Sequence, residues 1–393
     1  MTDLNLNLDR TLGWLNTLVS YPTIAGESNE RLIADAGDFL HGLGATVVVR
    51  QATRDDGHNL YAVLGPADTA DGVMLSAHTD VVAVDGQPWS RDPFSLHVQD
   101  GRAYGRGSTD MKGFIASVLA ALEGFDAARL KRPLWIALSV DEEIGCVGVR
   151  PLLESLKALD QRPAWALVGE PTGMDVVGSH KGKAAVRIEF HGRAAHSSLP
   201  QNGANAVAYA GRLITEVLGL QDQIATSDPR DPRFGVPYTT LGIGPIHGGV
   251  AVNIVPDHCR LDLEVRALPG DDPQARVRQL TILCDRLQSR LRDEYERGTI
   301  TVTPLSAYPG LRAGSDPHVD AEITAVCGSP ERLAADFGTE AGLYQQELDI
   351  PVVVCGPGSM DDAHSADESI ALDQLAASTQ MVTRLLDMLS ERR

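Results

Sequence analysis

Segment 72–113 constrains the fold of this chain more than any other segment does. It begins with an apolar run at residues 73–75, which is typical of a buried strand, and His78 follows where that strand should end. A polar loop rich in Gly and Pro leads to Asp110, which stands just before an apolar run of helical length and period. Ligands of open α/β sheets bind outside the carboxyl ends of the strands. The segment therefore predicts an α/β sheet with a histidine and an aspartate at its ligand-binding edge.

Three later apolar runs, at 133–140, 164–168 and 351–355, also have the length of buried strands and lead into polar residues. Together with the first segment they supply the candidate metal ligands His78, Asp110, Glu142 or Glu143, Glu170 and His364. Imidazole and carboxylate groups together suit Zn²⁺, Co²⁺ or Mn²⁺. Two histidines and three carboxylates exceed the needs of one tetrahedral ion. The set therefore predicts two ions that share a bridging carboxylate, as in two-metal hydrolases.

The pair Glu142-Glu143 leaves two interpretations open. Adjacent residues of an extended chain point to opposite sides. Just past a strand end, however, both can reach one cavity, where one binds a metal ion and the other acts as a base. The alternative is a solvated acidic turn. Asp80 also has two interpretations: it lies on the same side of the chain as His78 and accepts the second N–H of the imidazole, or it merely caps a turn.

The composition describes a globular protein and excludes several classes. At 393 residues the chain is long enough for two domains, and no apolar run approaches the roughly 20 residues that cross a bilayer. The five cysteines are scattered without a C-x-x-C pair, which argues against disulfides and against a thiolate zinc site. A formal charge of −19 disfavours nucleic acid and anionic lipid as partners. The first residues have the pattern of an amphipathic helix and not of a signal peptide, so we expect a cytoplasmic protein.

The hydrophobic period changes near residue 182 and again near residue 308. Between these points, alternating strands and two helices follow in the order β-α-β-β-α-β, which is that of a ferredoxin-like sandwich. The α/β pattern returns after Pro309-Gly310. We therefore predict a discontinuous first domain formed by residues 1–182 and 309–393, interrupted by a second domain at 183–308.

The motifs as a set resemble the superfamily of co-catalytic metallopeptidases that includes acetylornithine deacetylases, succinyl-diaminopimelate desuccinylases, aminoacylases and glutamate carboxypeptidases. These motifs are His78-Thr79-Asp80, GRGSTDMKG at 105–113, Asp141-Glu142-Glu143, Gly169-Glu170-Pro171-Thr172 and the late His364. The resemblance covers nearly the whole chain. Within the superfamily it is strongest to the acetylornithine deacetylases, through LVSYPTIAGESN (18–29), HKGKAA (180–185), FGTEAGLYQ (337–345) and VVVCGPGSMDDAH (352–364).

The resemblance implies a zinc-peptidase-like, three-layer α/β catalytic domain with a mostly parallel sheet, interrupted by a smaller ferredoxin-like α+β domain that serves for dimerisation and as a lid. It also implies two divalent ions per chain, Zn²⁺ first and Co²⁺ as an alternative. The implied ligands are His78 and Glu170 for one ion, Glu143 and His364 for the other, and Asp110 as the bridge, with a cis peptide bond between Asp110 and Met111. Glu142 is the implied general base.

Further site residues are implied in or near the second domain. His196 resembles the family histidine that reaches the active site of a neighbouring subunit and stabilises the oxyanion, which implies a homodimer through the second domain. Asn253 and Arg266 match substrate-binding positions, and Arg266 suits an α-carboxylate because its guanidinium binds carboxylates with two parallel hydrogen bonds. Glu340 is a candidate for an ammonium group of the substrate. From the residues alone, ordinary interpretations are preferred for these positions, such as a surface histidine after a turn and a strand-end arginine paired with a local acid.

The implied function is the removal of the acetyl group from N2-acetyl-L-ornithine, a step of arginine biosynthesis, with Glu142 activating a water that bridges the two ions. The same chemistry on succinyl-diaminopimelate, an N-acyl-citrulline or a dipeptide is an alternative, and a non-catalytic dimeric binding protein is a more distant one. A dinucleotide-binding oxidoreductase is disfavoured because no G-x-G-x-x-G follows the first strand. One departure concerns Ser369, which stands where the superfamily commonly has an aromatic residue and is expected to change the shape of the pocket.

Overall fold

The computed structural model describes residues 2–314 and 316–391, with the backbone alone for residues 2–6. The chain forms two compact units. Unit 1 comprises Met1–Ser179, Leu311–Ala334 and Thr339–Arg393, and unit 2 comprises His180–Gly310 with the short piece Ala335–Gly338. These limits lie within three residues of the expected boundaries at 182 and 309, and the piece 335–338 was not anticipated. Across the described residues, no helix combines the length and the apolar character needed to span a bilayer.

The strands and helices are numbered separately along the chain. In the described residues the strands are β1 (Thr46–Gln51), β2 (His58–Leu64), β3 (Val73–His78), β4 (His97–Gln99), β5 (Arg102–Tyr104), β6 (Leu134–Ser139), β7 (Trp165–Val168), β8 (Val177–His180), β9 (Gly182–His191), β10 (Thr240–Gly248), β11 (His258–Ala267), β12 (Thr299–Tyr308), β13 (Leu333–Ala335), β14 (Val352–Val354) and β15 (Ser369–Ala371). The α-helices are α1 (Thr2–Val19), α2 (Glu30–Gly42), α3 (Lys112–Glu123), α4 (Arg150–Lys157), α5 (Ala206–Ser227), α6 (Pro273–Glu294), α7 (Pro317–Cys327), α8 (Ala341–Leu348) and α9 (Leu372–Leu389).

Unit 1 is organised around an eight-stranded sheet with the order β1-β2-β6-β3-β7-β14-β8-β13. The four central strands β6, β3, β7 and β14 run parallel, whereas β2 pairs with β6 and β8 pairs with β14 in antiparallel fashion. Every residue of the four central strands is buried. Continuous burial is what a parallel strand covered on both faces requires, and it explains why these segments are apolar without alternation.

Helices cover both faces of this sheet. Alternate strand residues, for example Val73, Leu75 and Ala77, pack into one core with side chains from α1, α2, α3, α7 and α9. Helices α4 and α8 contact each other, and they contact β2, β7 and β14. The residues of opposite parity, such as Met74 and Ser76, are buried as well. The expected three-layer α/β architecture with a parallel sheet centre is confirmed.

The parallel centre fixes the position of the candidate ligands. Because β3, β6, β7 and β14 run in one direction, their carboxyl ends lie at one edge of the sheet. His78 is the last residue of β3, Glu142 and Glu143 follow β6, and Glu170 follows β7. The loop after β14 contains His364. The sheet therefore gathers residues that are far apart in sequence.

Unit 2 contains the segment order β9-α5-β10-β11-α6-β12 and one antiparallel sheet with the strand order β10-β11-β9-β12. On β9 the residues alternate between buried and half-buried positions. The buried side chains, among them Val186, Ile188 and Phe190, pack with residues of α5 and α6. The other side of the sheet carries the polar residues. This is the ferredoxin-like α+β arrangement that the sequence predicts.

Several short elements were not predicted. Strands β4, β5 and β15 form a small separate sheet, and β8, β13 and α8 lie in segments for which the sequence predicted no helix or strand. Strands of three or four residues are too short to show a period of two. Helix α8 begins with Ala341-Gly342, and a glycine in a first turn lowers helix propensity.

Candidate active site

His78 is held at the end of β3 by its own loop. Its Nδ1 lies 2.9 Å from the backbone carbonyl oxygen of Asp80. A carbonyl oxygen only accepts hydrogen bonds, so Nδ1 carries a proton and Nε2 is the atom that faces the cavity. That Nε2 is 3.0 Å from Asp110 Oδ1 and 3.8 Å from Glu170 Oε1.

A second histidine faces the other oxygen of the same aspartate. His364 Nε2 is 3.2 Å from Asp110 Oδ2 and 3.0 Å from Glu143 Oε2. Asp110 thus lies between two imidazoles, with one carboxylate oxygen directed at each. The five residues His78, Asp110, Glu143, Glu170 and His364 are called the unit-1 cluster below. Asp110, His78 and Glu170 are almost fully buried, and half of the His364 side chain is exposed.

The turn after β6 explains how Glu142 and Glu143 both reach this cluster. Asp141 has a φ of 59°, in the left-handed region, where aspartate is tolerated better than most residues. Its carboxylate accepts hydrogen bonds from the Gly26 N–H at 2.9 Å and from Arg54 Nε at 2.8 Å. The backbone therefore bends sharply directly after the strand, and the two neighbouring glutamates are not forced to opposite sides.

Asp80 plays a different part from the one expected for its carboxylate. Its Oδ1 is 3.6 Å from His78 Nδ1, beyond hydrogen-bonding distance, because the backbone carbonyl occupies that place. The carboxylate accepts the backbone N–H of Glu142 at 3.2 Å and of Glu143 at 3.1 Å. Asp80 thus positions the imidazole through its backbone and the two glutamates through its side chain.

Glu368 is a site residue that the sequence analysis missed. Its buried carboxylate accepts the backbone N–H groups of Thr109 at 2.9 Å and Asp110 at 3.1 Å, and it pairs with Arg106 at 2.7 Å. Asp110 is followed by a cis peptide bond to Met111, as the resemblance implied. Glu368 stands four residues after His364 in the sequence, and this spacing was the only available signal of its role.

Ser369 is buried in β15, and its hydroxyl oxygen accepts a hydrogen bond from Arg102 Nε at 2.9 Å. Arg102 also pairs with Asp362 at 2.7 Å, two residues before His364. At the position where the superfamily commonly has a ring, a small hydroxyl thus belongs to a polar link that ends in the loop of His364.

The carboxyl groups of the site, if all were ionised, would carry more negative charge than its two histidines can neutralise. Burial, reinforced by the neighbouring acids, raises the pKa of Glu142 to about 8 and that of Glu143 to about 7. Burial also raises the pKa of Glu170 well above its ordinary value. Hydrogen bonds to Asp110 and Glu143 raise the pKa of His364 to about 10. Groups of this kind are stabilised by a cation placed among them.

The donor set fits divalent metal ions. Ligand atoms of His78, Asp110 and Glu143 lie within 4.8 Å of one another, and so do those of His78, Glu142 and Glu170. His364 adds a second imidazole to the first group. Imidazole with carboxylate is the chemistry of zinc and its neighbours in the first transition row. The unit-1 cluster together with Glu142 therefore offers two candidate groups of ligands for divalent ions, and His78 belongs to both.

Within the described residues, Glu142 forms no hydrogen bond or ion pair with His78 or His364. Its Oε1 accepts a hydrogen bond from Cys146 Sγ at 3.3 Å. Burial raises the pKa of the Cys146 thiol well above its ordinary value, so this group stays protonated and is a donor. A carboxyl beside the ligands, held by a weak donor and by the bend at Asp141, has the freedom that a proton carrier needs.

Glu340 lies immediately before α8 and is almost fully buried. Its Oε2 accepts a hydrogen bond from Ser139 Oγ at 2.8 Å, whereas its Oε1 has no hydrogen-bond partner in the described part of the chain. Burial and then the charge of Glu142 raise the pKa of Glu340 to about 8. The structure thus places a further acid close enough to Glu142 for the charge of Glu142 to raise the pKa of Glu340.

The remaining predicted residues belong to unit 2. His196 is exposed and its Nδ1 lies 2.7 Å from Ser198 Oγ. The neighbouring Ser197 N–H donates to the backbone oxygen of Asn253 at 3.0 Å, so these two segments meet. Arg266 on β11 pairs with Glu264 at 2.8 Å. Their roles at the unit-1 cluster stay predictions.

Comparison with known proteins gives a consistent result. A family model described as peptidase family M20/M25/M40 matches residues 74–388. The acetylornithine deacetylase of Photorhabdus laumondii is 31% identical over 392 residues, covering 98% of this chain and 98% of that protein. The acetylornithine deacetylase of Edwardsiella ictaluri is 33% identical over 401 residues, covering 99% of this chain and 100% of that protein. A metallo-carboxypeptidase of family M20 from Sulfolobus solfataricus shares the fold, with a TM-score of 0.78 at 19% identity over 97% of this chain and 99% of that one.

Proposed function

The chain belongs to peptidase family M20/M25/M40 and is a metal-dependent amidohydrolase, and on that premise we propose that it removes the acetyl group from N2-acetyl-L-ornithine. The products are L-ornithine and acetate. The observation that carries two-metal hydrolysis, the chemistry of this proposal, is the position of Asp110, whose two carboxylate oxygens face two different histidines at 3.0 and 3.2 Å. A carboxylate shared in this way is the arrangement that two neighbouring ions require.

The residues assigned to the two ions follow from the same distances. His78 and Glu170 would hold one ion, and His364 and Glu143 would hold the other, with Asp110 between them. When bound, the ions supply Lewis acidity that polarises the amide carbonyl and makes a water molecule more acidic. Zn²⁺ is the first candidate, because the donor set is imidazole and carboxylate, and Co²⁺ is the second.

Glu142 acts as the general base in this proposal. Its carboxylate takes a proton from the attacking water and passes it to the leaving amine. It is close to the ligands without being assigned to either ion, and Asp80 holds its backbone N–H at 3.2 Å. The leaving group is the α-amine of ornithine, which departs protonated.

We assign His196 to the stabilisation of the oxyanion in the active site of a partner subunit, and hence a homodimer through unit 2. His196 is exposed, as such a role requires. Unit 2 also exposes apolar side chains on β10 and on the segment that follows it, namely Ile243, Ile246, Val250, Val252 and Ile254. Apolar side chains concentrated on one segment support an interaction surface there.

The substrate assignment rests on the acetylornithine deacetylases among the relatives and on three polar residues. We assign Arg266 and Asn253 to the α-carboxylate side of the substrate, where Arg266 would exchange its present partner Glu264 for the ligand. We assign Glu340 to an ammonium group, and its unpartnered Oε1 supports this assignment. A buried acid without a second partner is stabilised by a cationic ligand.

The experiment removes the metal with a chelator and assays deacetylation of N2-acetyl-L-ornithine before and after addition of Zn²⁺ or Co²⁺. We expect activity to disappear and to return with about two ions per chain. N-succinyl-L,L-diaminopimelate and N-acetyl-L-citrulline serve as matched substrates. If two ions restore hydrolysis of one of these and not of acetylornithine, the substrate assignment is wrong and the two-metal assignment stands. If no ion binds to the unit-1 cluster, the proposal fails as a whole.

A further inference from the structure

The polar face of the unit-2 sheet carries three side chains of metal-ligand type that the proposed reaction does not use. Glu189 and His191 belong to β9, and His258 is the first residue of β11. Glu189 and His191 are two residues apart on one strand, so they project from the same face. His258 lies directly opposite His191 in the register of the two strands. We call these three residues the sheet-face triad.

The distances within the sheet-face triad are close to those of a ligand set. The two imidazole rings have their centroids 4.9 Å apart, and His258 Nε2 is 3.6 Å from Glu189 Oε1. One ligand atom from each of the three residues lies within 4.8 Å of the other two. Zinc binds imidazole nitrogen at about 2.0–2.1 Å, which in a tetrahedron separates neighbouring ligand atoms by about 3.4 Å. Small side-chain rotations therefore bring the three ligand atoms to the separations that one zinc ion requires.

The surroundings of the triad leave Glu189 available for a cation. Arg260 stands opposite Glu189 in the strand register and is the nearest competing cation by position. Its guanidinium, however, donates to Asp262 at 3.3 Å, on the same strand. Arg187, the next residue on this face of β9, also pairs with Asp262, at 2.9 Å. Both arginines thus have Asp262 as their ion-pair partner, although the charge of Glu189 also contributes to the raised pKa of Arg187.

Access from solvent is direct. The side chain of His258 is 47% exposed and that of Glu189 is 37% exposed. His191 is exposed as well. An incoming ion loses only part of its hydration here, and water can complete its coordination. Two imidazoles and one glutamate form a donor set that zinc uses with an open fourth position.

We propose that Glu189, His191 and His258 bind one Zn²⁺ ion per chain, in addition to the ions of the unit-1 cluster. The bound ion joins β9 to β11 through side chains and so stabilises the sheet of unit 2. The site shares no residue with the proposed active centre, and the inference does not depend on the proposed reaction. Binding is weaker than in a buried site, because all three ligand side chains are solvent-exposed and lose rotational freedom when they hold the ion.

The test counts zinc in the full-length protein after equilibrium dialysis against a series of Zn²⁺ concentrations. Wild-type protein is compared with His258→Ala and His191→Ala, and His97→Ala is the matched control because His97 is an exposed strand histidine of unit 1. We expect both triad variants to hold one ion fewer than wild type at saturation. The control should equal wild type, and the difference of one ion does not depend on how many ions the unit-1 cluster holds.

A second measurement separates loss of the site from loss of folding. Circular dichroism spectra of the triad variants should match wild type, because the substituted side chains are exposed. Glu189→Gln keeps both imidazoles and should shift the binding curve to higher Zn²⁺ without removing the site. The proposal is wrong if the folded His258→Ala variant and the wild-type protein bind the same number of Zn²⁺ ions at saturation.

Discussion

The unit-1 cluster and the sheet-face triad use the same types of side chain in opposite environments. In the cluster, His78, Asp110 and Glu170 are almost fully buried. Burial raises the pKa values of Glu143 and Glu170. In the triad, Glu189 and His258 are more than one-third exposed. A buried acid without a counter-ion destabilises the folded protein, whereas an exposed acid is solvated by water. The buried acids of the cluster therefore destabilise the folded protein until a cation binds among them. The exposed side chains of the triad destabilise the fold little, and an ion bound there stabilises it little.

The two sites also differ in how their ligands are held. Asp80 and Glu368 bind backbone amides beside the cluster, at residues 142 and 143 and at residues 109 and 110. Such supports fix the ligand geometry before an ion arrives. The triad is held by strand register and by contacts among its own side chains. We therefore expect substitutions around the cluster to have large effects and those around the triad to have small ones.

The largest expected effect is that of Glu142→Gln on turnover. Because the amide cannot accept a proton, kcat should fall by about a thousandfold or more, with the metal content unchanged. His258→Ala is the matched substitution in the triad, and its kcat should stay near that of wild type. Steady-state kinetics with metal analysis of the same samples gives the result. Activity of Glu142→Gln within tenfold of wild type would show that another group is the base.

The second effect concerns the metal-free protein and pH. The folded pKa values of Glu142 and Glu143, about 8 and about 7, lie above their ordinary value of 4.5. A raised pKa stabilises the fold below about pH 4.5, and that stabilisation is lost as pH rises through the folded pKa. Since one pKa unit corresponds to about 1.4 kcal/mol, the roughly three units that Glu142 spans between pH 5 and pH 8 should lower the free energy of unfolding by on the order of 4 kcal/mol, and Glu143 acts in the same direction.

Urea denaturation of chelated protein at the two pH values measures this loss. The raised pKa of His364 acts in the same direction above pH 6.5. Addition of Zn²⁺ should abolish this fall, because bound cations keep the carboxylates ionised in the folded state. His258→Ala should show the same loss as wild type. If the metal-free protein is equally stable at pH 5 and pH 8, the buried acids of the cluster do not destabilise the fold as described above.

The smallest of the three effects is that of Asp80→Asn. The amide keeps one acceptor oxygen but turns an NH2 group toward one of the two backbone N–H groups that the carboxylate now binds. Affinity of the cluster for Zn²⁺ should fall by roughly 10- to 100-fold, as is typical when a ligand's support is altered. Competition with a chelator of known affinity measures it. Asp262→Asn, next to the triad, is the control and should leave this affinity unchanged.

Much of the site was predictable because the carboxyl ends of parallel strands lie at one edge of the sheet, so residues that follow such strands in sequence come together in space. An apolar run followed by His78, Glu142 or Glu170 predicts both a buried strand and the end of that strand at which ligands bind. The predicted division near residues 182 and 309 rests on a change of period, which is a signal of the same local kind. In each case the information is local to a few consecutive residues.

The rest depends on contacts between distant segments. Glu368 acts on the amide of Asp110, some 258 positions earlier, and nothing near Glu368 in sequence identifies that partner. The sheet-face triad requires the exact register of β9 against β11, which sequence alternation leaves undetermined by steps of two residues. The contact of His78 with the carbonyl of Asp80, in place of its carboxylate, depends on a local backbone bend.

The place of β14 in the sheet has a consequence for synthesis of the protein. This strand lies between β7 and β8, yet its residues are translated after the whole of His180–Gly310. On the ribosome, where domains fold as units in the order in which they emerge, most of unit 2 is complete while unit 1 still has a gap at its centre. His364 is then the last ligand of the unit-1 cluster to be made. The nascent chain therefore acquires its full set of metal ligands only after its inserted unit has emerged.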